Sequence, residues 1–199
     1  MLSSPCVDYD MHVRCHLRED SFMFKNLPQQ SLVSKIEIPK YMGKWFVIAN
    51  IPTLFEKDVF NASESYKWNS EKNRIDVEYK CNRNSFTGPE MKVPQKAFVY
   101  NHKTNSEWRV QFIWPIKFAY LIVDLADDYS DTIVGVPNRK HCWIMAREPK
   151  ISESRYKELV AKVKSQGYDV SQLMRVPQSE DQNFLSSNER LLDRGSGVS

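Results

Sequence analysis

Residues 74–81 read Arg-Ile-Asp-Val-Glu-Tyr-Lys-Cys, with an apolar residue at every second position and a charge at each one between. Successive side chains of an extended strand point to opposite faces, so this stretch is a strand with one dry face and one wet face. The preceding Asn69, Ser70, Glu71, Lys72 and Asn73 are turn residues, which makes it the second arm of a hairpin. The same period of two recurs at residues 62–68, 93–100, 108–114, 120–125, 132–136 and 141–147. It also appears in the run opened by Gly43-Lys44-Trp45. With connections this short, most neighbours must be antiparallel hairpins.

Register assigns the faces. One face collects Val47 and Ala49, then Tyr66 and Trp68, then Ile75, Val77 and Tyr79. It continues through Ala97, Val99, Trp108, Val110, Phe112, Trp114, Tyr120, Ile122, Val134, Trp143 and Met145. The opposite face of the middle strands carries Lys67, Asp76, Glu78, Lys80, Lys96, Arg109 and Gln111, a surface for water. Such strands close into an all-β, eight-stranded antiparallel up-and-down barrel, which also removes both sheet edges. One C-terminal helix follows, capped by Ser152 and stopped at Gly167, with Tyr156, Leu159, Val160 and Val163 on one stripe. Its expected seat is outside the barrel on Cys142, Ile144 and Ala146, the apolar exterior of the last strand. Residues 36–178 then form the domain. Residues 1–35 read as a partly disordered extension and 179–199 as a disordered polar tail.

Composition removes several function classes. The 199 residues are 41% apolar and 27% charged, with a net charge of +3. That fits one soluble globular domain, and the basic residues are too scattered for a nucleic-acid face. No apolar run reaches bilayer-spanning length. Residues 1–30 have no apolar core of a secretory signal. The chain as written is therefore expected in the cytoplasm or peripheral to a membrane, and secreted if its N-terminus is incomplete. Cys6, Cys15, Cys81 and Cys142 are expected as free thiols. His12, Cys15 and His16 have no second ligand pair at metal-site spacing, so neither a metal nor a cofactor is expected. Cys81 has inward parity, but His102 lies in a loop and His141 points outward. No nucleophile–base pair forms, and no catalytic residue or enzyme activity is expected.

Several motifs resemble one family. Gly43-Lys44-Trp45, then Asp128-Tyr129 followed by Val134-Gly135, then Arg147 at the end of the eighth strand, resemble the three signatures of the lipocalins. Asp127 stands where a threonine often precedes the Asp-Tyr pair. Phe55-Glu56, residues 110–115, Pro137-Asn138-Arg139-Lys140, Trp143-Ile144 and residues 166–171 are similar to one subgroup. It comprises bacterial outer-membrane lipoprotein lipocalins, apolipoprotein D and plant temperature-induced lipocalins.

The resemblance implies a barrel plugged at its base by Trp45 beneath the Arg147 guanidinium, with an open calyx above. Aromatic residues at strand spacing equally build a filled core; the resemblance favours a pocket for small hydrophobic ligands such as fatty acids or lysophospholipids. Its expected lining is Phe55, Glu64, Tyr66, Trp68, Val77 and Tyr79 from the first half of the barrel. Val99, Trp108, Val110, Phe112, Trp114, Tyr120 and Trp143 complete it. Glu64 shares the inward face with Tyr66, where relatives carry a small apolar residue. A carboxylate there needs water, a hydroxyl from Tyr79 or Tyr120, or a cationic ligand. Around the mouth, Pro52, Leu54, Phe55, Trp114, Ile116 and Phe118 are placed for peripheral membrane contact. The alternatives are a scavenger of oxidised lipids at a membrane surface and a lipocalin-fold enzyme. A monomer or weak homodimer is expected, with no nucleic-acid partner.

Overall fold

The computed structural model describes residues 29–54 and 56–179. Eight long or medium strands follow the alternation: β1 (Gly43–Ile51), β2 (Val59–Asn69), β3 (Arg74–Arg83), β4 (Glu90–Val99), β5 (Glu107–Ile113), β6 (Ile116–Leu125), β7 (Asp131–Gly135) and β8 (Cys142–Ala146). All pair antiparallel with their sequence neighbours, and β8 returns to β1. Pairing of β1 with β2, from Gly43 opposite Tyr66 to Phe46 opposite Ser63, closes the barrel. The β1 start and the β2–β3, β4–β5 and β6–β7 turns mark the closed end. The other connections ring the mouth.

Two features depart from the simple alternation. A bulge in β1 between Val47 and Ala49 turns Ala49 outward and Asn50 inward, opposite Trp143. Ala49, expected inside, packs instead with the exterior cluster. A ninth strand, β9 (Met174–Arg175), pairs with Ala49 and Asn50 of β1. Just beyond it the chain enters the gap where β1 and β2 part. The Val176 amide donates to Ile48 O at 2.9 Å and the Asn61 amide donates to Pro177 O at 2.8 Å. Gln178 Nε2 donates to Val47 O at 2.9 Å and to Ala62 O at 3.1 Å.

A short helix α1 (Ile38–Tyr41) leads into β1 across the closed end, and helix α2 (Glu153–Ser165) lies outside the barrel. Ser152 Oγ accepts the Arg155 amide at 3.1 Å, satisfying one N-terminal donor of α2. Leu159 and Val163 bury completely against Cys142, Ile144 and Ala146, the seat expected from the sequence. Two ion pairs fix the docking: Arg155 bonds Asp131 through two nitrogens at 2.8 and 2.9 Å, and Lys162 reaches Asp124 at 2.7 Å. Residues 29–35 run along the outside, with the Val33 amide on Ile122 O and Gln30 on the Tyr168 hydroxyl.

Candidate ligand-binding site

The floor of the barrel begins with Gly43, whose φ of +98° is a backbone region that disfavours a Cβ. A Cβ there would also stand 3.3 Å from Arg147 Nη1. The glycine lets the chain turn from α1 into β1 while the guanidinium of Arg147 lies 3.7 Å above the Trp45 ring. The same guanidinium donates to the carbonyls of Lys40, Lys44 and Tyr41. The Trp45 indole is fully buried and its N–H donates to Tyr41 O at 2.9 Å. Stacking and carbonyl bonds together hold the charge where burial would otherwise disfavour it.

Above this plug, Tyr41, Tyr66, Trp108 and Tyr120 form a continuous aromatic layer with neighbouring ring centres 5.1 to 6.0 Å apart. Their hydroxyls are not idle. Tyr66 OH donates to the Glu64 carboxylate, lies 2.6 Å from Tyr120 OH, and Tyr120 OH lies 3.5 Å from Tyr41 OH. Glu64 is 8% exposed and stands opposite Trp45 on one side and Tyr79 on the other. Burial, with the charge of Glu56 as a second cause, pushes its carboxyl up from the ordinary 4.5 to about 8. At neutral pH it therefore holds a proton.

The chamber above is polar at chosen points. Glu56, from the β1–β2 connection, accepts the Trp143 indole N–H at 2.7 Å with one oxygen. Its other oxygen accepts Thr53 N and Oγ1 at 3.0 and 2.7 Å, so this carboxylate is held and satisfied. Tyr79 is 4% exposed, and its hydroxyl has no hydrogen-bond partner. The Cys81 thiol sits beside it, but sulfur is a weak partner and no bond of good geometry forms. Asn50 is 2% exposed and its Nδ2 is likewise unpartnered. Val77 and Val110 stand on the wall between, buried in the inner cluster, while Val99 pairs with Trp108 at the closed end.

The mouth is apolar and wet. Phe112 and Phe118 stack at 4.9 Å, both partly exposed, and the tip of the β5–β6 hairpin presents Trp114, 84% exposed, beside Ile113 and Ile116. Leu54, across the mouth, is 83% exposed.

The expected lining residues thus fall into three places. Tyr66, Trp108 and Tyr120 belong to the floor layer. Val99 joins them at the closed end, opposite Trp108; Glu64, Val77, Tyr79, Val110 and Trp143 lie on the inward face above, while Phe112 and Trp114 stand at the mouth. Trp68 stands apart from all of these: opposite Ile75 by the β2–β3 turn, it is half-exposed at the closed end. Phe55 lies outside the described residues. The hydroxyl that reaches Glu64 comes from Tyr66, two residues along the same strand, and not from Tyr79 or Tyr120. Asn50 escaped the reading because the β1 bulge inverts its parity. Glu56 escaped because it lies on a connection without periodicity.

Comparison with known proteins places this geometry. The sequence model of a family described as a lipocalin-like domain matches residues 36–178. The chain is 28% identical over 161 residues to temperature-induced lipocalin-1 of Arabidopsis thaliana, covering 76% of this chain and 84% of the relative. It is 27% identical over 150 residues to the outer membrane lipoprotein Blc of Escherichia coli K12, covering 74% and 82%. Among solved structures, insecticyanin from the tobacco hornworm Manduca sexta superposes with a TM-score of 0.61 at 15% identity, covering 77% and 86%. At that identity the likeness speaks for the fold.

Proposed function

We propose, for a chain that belongs to the lipocalin family, that the barrel takes up single-chain lipids such as fatty acids or lysophospholipids and carries them through water. Family members typically bind small hydrophobic ligands. The observation that carries the finer reading is the gradient along the barrel. A sealed aromatic floor leads to a wall that includes Val77 and Val110, and then to a mouth of exposed Phe112, Phe118 and Trp114. Such an apolar cleft with few polar handles suits an alkyl chain. About ten buried methylenes at ~0.8 kcal/mol each give ~8 kcal/mol gross, and association costs leave roughly micromolar binding. No catalytic step belongs to this reading. Burial raises the Cys81 thiol, the opposite of an activated nucleophile.

Titrating delipidated protein with lysophosphatidylcholines of increasing chain length, followed by tryptophan fluorescence, tests the proposal. A saturable change near micromolar, tightening with length until the barrel fills, is expected. Unchanged fluorescence at every length would leave a filled core in place of a carrier.

One further observation favours work at a membrane surface: the hairpin tip formed by Ile113, Trp114 and Ile116 is apolar and exposed, with Leu54 opposite. Flotation with phosphatidylcholine vesicles should carry the protein upward, and Trp114→Ser with Ile116→Ser should abolish that. Equal flotation of the variant would assign the hairpin no such role. A part in temperature stress, named for the plant relative, fits lipid handling of this kind.

A further inference from the structure

The barrel interior contains an acid that the fold does not neutralise. Among the described residues no lysine, arginine or histidine forms an ion pair with Glu64, and its single hydrogen-bond donor is the Tyr66 hydroxyl. The second carboxylate of the chamber, Glu56, is close enough to act on Glu64 and on Tyr79. Arg83, at the mouth end of β3, acts on Cys81 but not on Glu64. Two almost fully buried polar atoms, Tyr79 OH and Asn50 Nδ2, lack a hydrogen bond of normal geometry, Tyr79 OH having only the Cys81 thiol beside it. Folded proteins rarely leave such atoms unpaired, because each forfeits its hydration without return. A buried carboxyl without an ion-pair partner beside a phenol of unused hydrogen-bonding capacity, on the inward face of an apolar barrel, has the chemistry of a head-group site.

We propose that the calyx takes long-chain amines, with the protonated amine placed between Glu64 and the Tyr79 hydroxyl and the alkyl chain running toward the mouth. This rests on the carrier reading and narrows it. An ammonium donates, and both the carboxylate and the phenol oxygen accept. Asn50 lies further up β1, opposite Trp143, and takes no part in holding the amine. A free fatty acid entering head-first brings no positive charge to compensate the ionisation of Glu64, and offers the Tyr79 oxygen no donor once ionised.

Protonation follows the same logic. The groups that face Glu64 are the hydroxyls of Tyr41, Tyr66, Tyr79 and Tyr120 and the carboxylate of Glu56. Burial raises the phenols of Tyr41, Tyr79 and Tyr120, so these stay protonated at neutral pH. An arriving ammonium would therefore compensate the ionisation of Glu64, whose proton leaves to solvent.

The test compares dodecylamine, dodecanol and dodecanoic acid on the full chain at pH 7, by tryptophan fluorescence and calorimetry, in the natural protein and in Glu64→Gln. The amine is expected to bind about tenfold tighter than the alcohol and more than that over the acid. In Glu64→Gln the three affinities should converge to within about threefold, with the alcohol nearly unchanged. Alcohol binding by the variant doubles as proof that it folds and keeps its pocket. Tight alcohol binding with no amine preference, or a preference that survives Glu64→Gln, overturns the amine site and leaves the carrier intact. No binding of any of the three overturns the carrier and the amine site together.

Discussion

Gly43 answers to two demands at once, its left-handed φ and the 3.3 Å approach of the Arg147 guanidinium. Gly43→Ala should therefore cost about 1–3 kcal/mol by strain and by displacing the stack on Trp45. Urea unfolding measures it, and an unmoved midpoint would mean that the closed end yields easily. Glu64 makes a different prediction. Its folded carboxyl is raised to about 8, so the folded chain holds a proton that the unfolded chain has lost above about 4.5. Stability is full below the lower value and falls as pH climbs to the upper one. Glu64→Gln removes that fall: it should match the natural protein in acid and exceed it increasingly toward pH 8, by on the order of a few kcal/mol. Parallel stability curves for the two proteins would contradict the buried acid. The inward parity of Glu64 was legible from spacing, and the pairing of Trp45 with Arg147 from the motifs shared with the lipocalins. Which hydroxyl meets Glu64 was not, because register fixes a face and leaves rotamers free.

At the scale of elements, alternation located the strands most plainly where one face is wet and one dry, as in β3, while β7 and β8 are buried on both faces. It failed where the ladder itself is irregular. The β1 bulge shifts parity by one, which moved Ala49 out and Asn50 in, and nothing in a run of apolar residues announces such a slip. β9 was missed because two residues are too few to show a period. Helix α2 was readable from its cap and stripe, and its seat from the apolar exterior of β8. Leu159, fully buried in that seat, should cost about 2–5 kcal/mol when replaced by alanine. Far-ultraviolet dichroism should show the β signal persisting after the helix signal has weakened. Asp131→Asn, which leaves Arg155 half of its clamp, should loosen the same helix by less.

For the molecule as a whole, the barrel is continuous through eight strand pairs but uneven around its circumference. β1 and β2 share ladder bonds only near the closed end, from Gly43 to Phe46, and above that the segment after β9 fills the gap. Gln178 sits in it almost fully buried, one amide group bonding both strands. Gln178→Ala strands two carbonyls and should cost about 1–3 kcal/mol. The gap begins beside Ser63, one residue from Glu64. A leak there would admit water to the acid from the side, and hydration would draw its titration back toward 4.5. Nuclear magnetic resonance titration of Glu64 in Gln178→Ala reads this directly. The segment after β9 would then act as the gasket that keeps a carboxyl dry, setting the proton affinity of the interior from outside the barrel wall.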